Sequence, residues 1–150
     1  MARQLGIFLG VLLLLIIAGS VYVYHMYHAT ASIIVNGQIF SVEVANTDAA
    51  RQKGLSGHAP LASNNGMLFV FPQSGNYGFW MKDMTFSIDI IWVNSQLQVT
   101  HVEQSLSPET YPTVFYPDTE SLYVLEVPAG TASRLNIHPG DTIQFDTKTI

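Results

Sequence analysis

Two cationic side chains set beside aromatic residues are the strongest chemical features of this chain. Arg51 ends a short helix-prone stretch, and a guanidinium there presents a planar fork to a carboxylate, phosphate or sulfate. Lys82 ends the run Phe79-Trp80-Met81-Lys82, in which an indole face stacks on a sugar or a cation while the ammonium adds a charge beside it. In extended backbone Phe79 and Met81 share one face and Trp80 and Lys82 the other, so one pair is expected in the core and the other at a groove. Asp89 and Glu126 stand inside apolar runs, where a carboxylate is seldom buried without a partner. Two outcomes stay open. Arg51 or Lys82 bridges to Glu43, Asp89 or Glu126 and fastens the fold, or Arg51, Trp80, Lys82, Asp89 and Glu126 gather around a ligand.

Hydrolysis would require an acid and a base with tuned pKa values, and Asp83, Asp89, Glu126, His101 and Lys82 are the groups on offer. No Gly-x-Ser-x-Gly elbow, His-Glu-x-x-His pair, phosphate loop or Ser-x-x-Lys accompanies them, so no catalytic residue is assigned. His58, His101 and His138 do not converge on metal-ligand spacing, and His25 and His28 form a pair with no third ligand nearby. The chain has no cysteine, which removes thiolate metal sites, disulfides and nucleophilic thiols. Neither a metal nor a cofactor is expected.

These groups need a scaffold, and 150 residues allow one membrane or targeting segment plus one domain. The formal net charge is −5, and Arg51, Lys53, Lys82, Arg134 and Lys148 are dispersed, so nucleic acid is not an expected partner. Leu5 to Tyr24 carries no charge and is long enough for a helix to cross the hydrocarbon core. Arg3 precedes it and no Lys or Arg follows before Arg51, which places the N-terminus in the cytoplasm and the remainder outside. Tyr22, Tyr24 and Tyr27 suit the headgroup level at its far end. Ala18-Gly19-Ser20 supports the alternative of a cleaved signal peptide and a secreted product. Residues 1–29 are therefore read as anchor and linker, and residues 30–150 as the domain.

From Thr30 onward short β-prone runs alternate with turn residues. Ile33 to Val35 and Ile39 to Val44 flank Asn36-Gly37, a two-residue hairpin turn. Thr47 caps a two-turn helix that Gly54 ends. Met67 to Phe71 reads as a buried strand stopped by Pro72, and Phe86 to Val93 as a strand covered on both faces. Asn94-Ser95 turns into Leu97 to Val102. Ser105 to Pro117 reads as a long surface loop, Leu122 to Val127 as a core strand, Ala132 to Leu135 as a short helix, and Thr142 to Asp146 as the closing strand. The fold expected is mostly β: a single compact β-sandwich or barrel-like domain with one or two short helices, preceded by one transmembrane helix.

Val42 to Ala45, Arg51 to Leu55, Gly66 to Phe71, Phe79 to Lys82, Asp89 and Val124 to Gly130 follow one another in an order that resembles the family called domain of unknown function 192, also known as uncharacterised protein family 0127. The resemblance covers about Ile33 to Phe145. It implies a compact, mostly β domain and no established activity. The chain departs from the family pattern at His58, where a second arginine is usual, at Asp83-Met84 in place of Asn-Thr, and at Ser87 in place of Pro. The functional expectation is a membrane-tethered module binding a small anionic or sugar-like ligand. An envelope hydrolase using Asp89 or Glu126 with His101 or Lys82, and an assembly partner of an envelope complex, are the alternatives.

Overall fold

Asn36 and Gly37 take φ values of 45° and 81°, the left-handed conformation that a tight hairpin requires and that Asn and Gly tolerate best. They join β1 (Thr30–Val35) to β2 (Gln38–Ala45), which pair antiparallel. The computed structural model describes residues 9–20 and 30–145. After β2 come α2 (Asp48–Lys53), β3 (Asn65–Gly75), β4 (Ile88–Val93), β5 (Val99–Leu106), a 3₁₀ turn (Pro108–Thr110), β6 (Ser121–Pro128), α3 (Thr131–Leu135) and β7 (Ile143–Phe145). The helix at residues 9–20 is α1.

All seven strands form one sheet in the order β5-β4-β6-β3-β2-β1-β7. Its neighbours are antiparallel except β2 and β3, whose parallel pairing follows from the crossover through α2. The sheet curls into a half-barrel, and its two ends meet at one rim. There the β4–β5 turn and the approach to β7 exchange backbone bonds: Val99 N–H to Asp141 O (2.8 Å), Gly140 N–H to Val99 O (2.8 Å) and Ile143 N–H to Leu97 O (2.9 Å). Asp141 strengthens that rim, its Oδ2 accepting from the His138 backbone N–H and the Asn36 amide. A single curled sheet replaces the sandwich alternative of the sequence reading, because strands far apart in order close on each other instead of splitting into two layers.

Alternation along the strands sorts the apolar residues into two clusters. Ile33, Val35, Phe40, Val42, Leu68, Ile91, Val93, Leu125, Val127 and Ile143 fill the concave side. Met67, Phe69, Ile88, Ile90, Trp92 and Val124 face outward, where Leu55, Phe79 and Met81 cover them. The central strands are thus buried on both faces, and all six residues of β4 are buried, Asp89 among them, as the mostly apolar run predicts. The covering layer is made from α2 and its C-terminal loop together with residues 76–87.

Several boundaries differ from the sequence reading. β3 passes through Pro72 to Gly75, since its register with β6 breaks between Val70 and Gly75 and the missing proline N–H costs no ladder bond. β5 runs on to Leu106, and the predicted surface loop is pinned near its end by a backbone bridge between Phe79 and Phe115. α2 has the expected caps, with Thr47 accepting from the Ala50 N–H and Gly54 ending the helix.

No helix among the described residues is long and apolar enough to cross a membrane. The described part of the predicted span, residues 9–20, is helical with its apolar side chains exposed, and it rises only about 18 Å. Residues 5–8 and 21–24 of that span, Tyr27, His25, His28 and the end of the closing strand at Asp146 lie outside the described residues.

Candidate functional site

β3 and β6 lie side by side with Met67 opposite Glu126 and Phe69 opposite Val124. Glu126 and Val124 therefore project to the outer face, away from Leu125 and Val127. Gly66 permits this close pairing: a Cβ there would come within 2.6 Å of the Glu126 carbonyl oxygen. Where the covering layer leaves this face open, it forms a pocket of about 720 Å³. Phe69, Phe71, Tyr77, Phe79 and Glu126 line its inner surface, and Asp48, Arg51, Lys53, Trp80, Lys82 and Asp83 are among its other lining residues.

The aromatic wall is internally braced. Phe71 and Tyr77 stack with centroids 3.5 Å apart, and Phe79 sets its edge against Phe69 at 4.8 Å. The Tyr77 hydroxyl donates to Gln73 O, and the Trp92 indole N–H donates to Tyr77 O. These bonds hold the segment before Phe79 against β4. On its far side, Ser56 donates to Lys82 O and the Gly57 N–H to Asp83 O, which couples the two halves of the covering layer. Asp83 takes φ 55°, a left-handed position that Asn and Asp both tolerate, so the departure from the family's Asn is sterically mild.

Arg51 lines the pocket but is already engaged. One Nη donates to Asn46 O (2.8 Å) and Val70 O (2.7 Å), the other pairs with Asp48, and the guanidinium lies 5.5 Å from the Phe71 ring centre. β2 pairs with β3 only as far as Ala45 and Phe69, and Arg51 supplies a donor to Val70 O just beyond that pairing. Its partners are thus carbonyls and Asp48, and neither Asp89 nor Glu126 pairs with it. Lys82 is exposed and makes no ion pair among the described residues, its Nζ standing 5.9 Å from the Trp80 ring centre. Trp80 is half exposed and meets Tyr111 edge to face. The alternation expected for this run holds, with Phe79 and Met81 buried and Trp80 and Lys82 outside.

Glu126 is the unusual group. It is 5% exposed, its Oε2 has no hydrogen-bond partner among the described residues, and burial pushes its carboxyl up to about 8. It is therefore protonated at neutral pH.

Asp89 is not part of this pocket. It lies on the concave parity of β4, fully buried, and its carboxylate accepts from the backbone N–H groups of Ser105 (2.7 Å), Gly130 (3.1 Å) and Ala132 (2.7 Å). Two of those donors open α3, so Asp89 caps a helix whose own N-cap is glycine. His101 is elsewhere too, held by Asp118 (2.8 Å) and Glu103 (3.2 Å). Burial lowers its pKa, but the hydrogen bonds and charges of those two carboxylates outweigh this and raise it. Of the groups named for hydrolysis, only Glu126, Lys82 and Asp83 line the pocket. No cluster of three metal-ligating side chains occurs among the described residues.

Sequence reasoning did not single out Tyr77, Phe71 or Tyr111 as parts of the site. Their signal was weak, because Phe71 looked like core and Tyr77 and Tyr111 lay in segments read as loops.

Fold and site together define a small, mostly β half-barrel domain with few short helices and an aromatic-lined outer pocket. The profile of the family described as Uncharacterized ACR, domain of unknown function 192, matches residues 31–145, and the chain belongs to that family. A relative from Thermococcus gammatolerans, described as a UPF0127 protein, is 31% identical over 109 residues, which is 70% of this chain and 66% of the relative. The chain thus spans slightly less than two thirds of that relative's length.

Two solved structures share the fold. A Sinorhizobium meliloti protein described as a candidate transcription regulator superposes with a TM-score of 0.74 at 25% identity, covering 82% of this chain and 97% of the other. A protein of unknown function from Novosphingobium aromaticivorans gives a TM-score of 0.70 at 30% identity, covering 77% and 83%.

Proposed function

We propose that the domain is a binding module that takes a small anionic or sugar-like ligand in the pocket of Trp80, Lys82 and Glu126. The observation that carries this reading is the meeting of an exposed indole, an ammonium without an ion pair among the described residues and a buried carboxyl in one open, aromatic-lined cavity. Largely preformed apolar pockets with a few convergent polar groups are the usual form of small-ligand sites. Arg51 contributes a fixed positive wall, since its bonds to Asn46 O, Val70 O and Asp48 hold it in the fold, and Lys82 supplies the charge that meets the ligand. Trp80 offers a flat face for a ring.

The uncharged run Leu5 to Tyr24 supports a tether that leaves this module outside the cytoplasm. Membrane fractionation with protease accessibility tests it: the chain should pellet with membranes and residues 30–150 should be cut only from the outer side.

Thermal-shift screening of the full chain in detergent against anions, sugars and peptidoglycan fragments tests the pocket. A ligand at about 100 times its Kd stabilises by about 2.7 kcal/mol, a shift that melting curves resolve easily. Trp80→Ala should keep the fold and lose the response. Silence of the wild-type protein across all three sets would refute the reading.

A further inference from the structure

Glu126 also bears on which ligand the pocket takes. A buried polar oxygen left without a partner is costly, and the Glu126 side chain that carries it lines the open pocket. The charged and titratable groups on its side of the sheet are Glu43 on β2 and Glu103 on β5, which share its cross-strand row through Met67 and Ile90, and His101 on β5, opposite Trp92. The covering layer adds Asp48, Arg51 and Lys53 from α2, and Tyr77, Lys82 and Asp83 from residues 76–87. Arg51 is held by Asp48 and two carbonyls, Lys82 rests by Trp80, and no described cation pairs with Glu126. Its carboxyl is thus a neutral acid that offers one O–H donor and one carbonyl acceptor. An ionised Glu126 would repel an anion, whereas the neutral acid donates to a carboxylate in a charge-assisted bond.

We propose that the ligand is a sugar acid whose carboxylate accepts the Glu126 O–H inside the pocket while its ring lies against Trp80 and its charge faces Lys82. This rests on the pocket being the binding site proposed above. The proton stays on Glu126, so binding requires the protonated form and weakens as that proton is lost. Free carboxyl, amine and phenol side chains titrate outside about pH 7 to 9; His101, raised from 6.5, titrates toward that window but does not line the pocket, so the Glu126→Gln variant assigns the dependence.

Calorimetric titration of the full chain in detergent with D-galacturonate, D-galactose and D-galactosamine, from pH 6 to 9.5, tests the inference. Galacturonate should bind at least tenfold more tightly than galactose at pH 6, and its affinity should fall about tenfold per unit above about pH 8. Glu126→Gln keeps a neutral donor and should bind galacturonate with no pH dependence across that range. Galacturonate affinity independent of pH in the wild type, an unchanged pH slope in Glu126→Gln, or galactosamine binding more tightly than galacturonate would overturn the inference while leaving the pocket a ligand site. Binding of none of the three sugars at any pH also overturns it; if the wider screen is silent too, the binding reading falls with it.

Discussion

Replacing Glu126 by Gln is expected to raise stability in a pH-dependent way whose shape follows from the burial of one carboxyl. In the folded protein its pKa is pushed from 4.5 to about 8. The unfolded chain releases that proton near 4.5 while the folded chain keeps it, so between these values the folded state binds more protons and stability falls as pH rises. Each pH unit in that window costs about 1.4 kcal/mol. The loss reaches about 3 kcal/mol by pH 7 and about 4 kcal/mol by pH 8, as upper limits, because water entering the pocket would solvate the ionised form. Gln carries no such proton and mimics the neutral acid. Wild type and variant should therefore melt together near pH 4.5 and diverge steadily above it, by roughly 10 °C at pH 7 if 1 kcal/mol shifts the midpoint by about 4 °C. Circular-dichroism melts of both proteins from pH 4.5 to 9 measure this. Parallel curves, with a constant gap at every pH, would refute the argument that Glu126 is held neutral by burial.

Arg51→Ala removes two carbonyl bonds, the Asp48 pair and the contact with Phe71, and should destabilise by about 2 to 3 kcal/mol, read as a lower urea midpoint. An unchanged midpoint would show that these bonds do not fasten α2 to β3. Asp89→Ala leaves the N–H groups of Ser105, Gly130 and Ala132 without their acceptor and should cost about 3 to 5 kcal/mol, read as a lower urea midpoint; an unchanged midpoint would contradict this. His101 holds a raised pKa, so its stabilisation is present below its ordinary value of 6.5 and is lost as pH rises through the folded value. His101→Gln should accordingly narrow the gap between melting curves at pH 5.5 and 8, and no change in that gap would exclude the Asp118 and Glu103 contacts as its cause.

Local chemistry made much of the scaffold readable. Asn36-Gly37 specifies its hairpin because both positions need positive φ, and Thr47 and Gly54 bound α2 because each satisfies an open helix end. The mostly apolar content of Ile88 to Val93, interrupted by Asp89 alone, revealed a strand covered twice. The site was less legible, since its parts depend on contacts distant in sequence. Period-2 alternation places Glu126 opposite Leu125, yet only the folding of α2 and residues 76–87 over that face decides that Glu126 meets a pocket. Arg51 bridges to neither Asp89 nor Glu126; besides Asp48 its partners are backbone carbonyls, which no side-chain pattern announces. Asp89 looked equal to Glu126 from sequence. Parity sends it to the opposite side of the sheet, where backbone N–H groups saturate it.

Mapping D-galacturonate onto the full chain by two-dimensional NMR, in detergent at pH 6, separates a ligand pocket from a merely structural cluster. Binding in the pocket should move the Trp80 indole resonance together with the backbone signals of Lys82, Phe79 and Glu126, in fast or intermediate exchange, with His101 and Asp89 unaffected. Spectra unchanged at saturating sugar acid, or shifts confined to the part of β5 around His101, would contradict it.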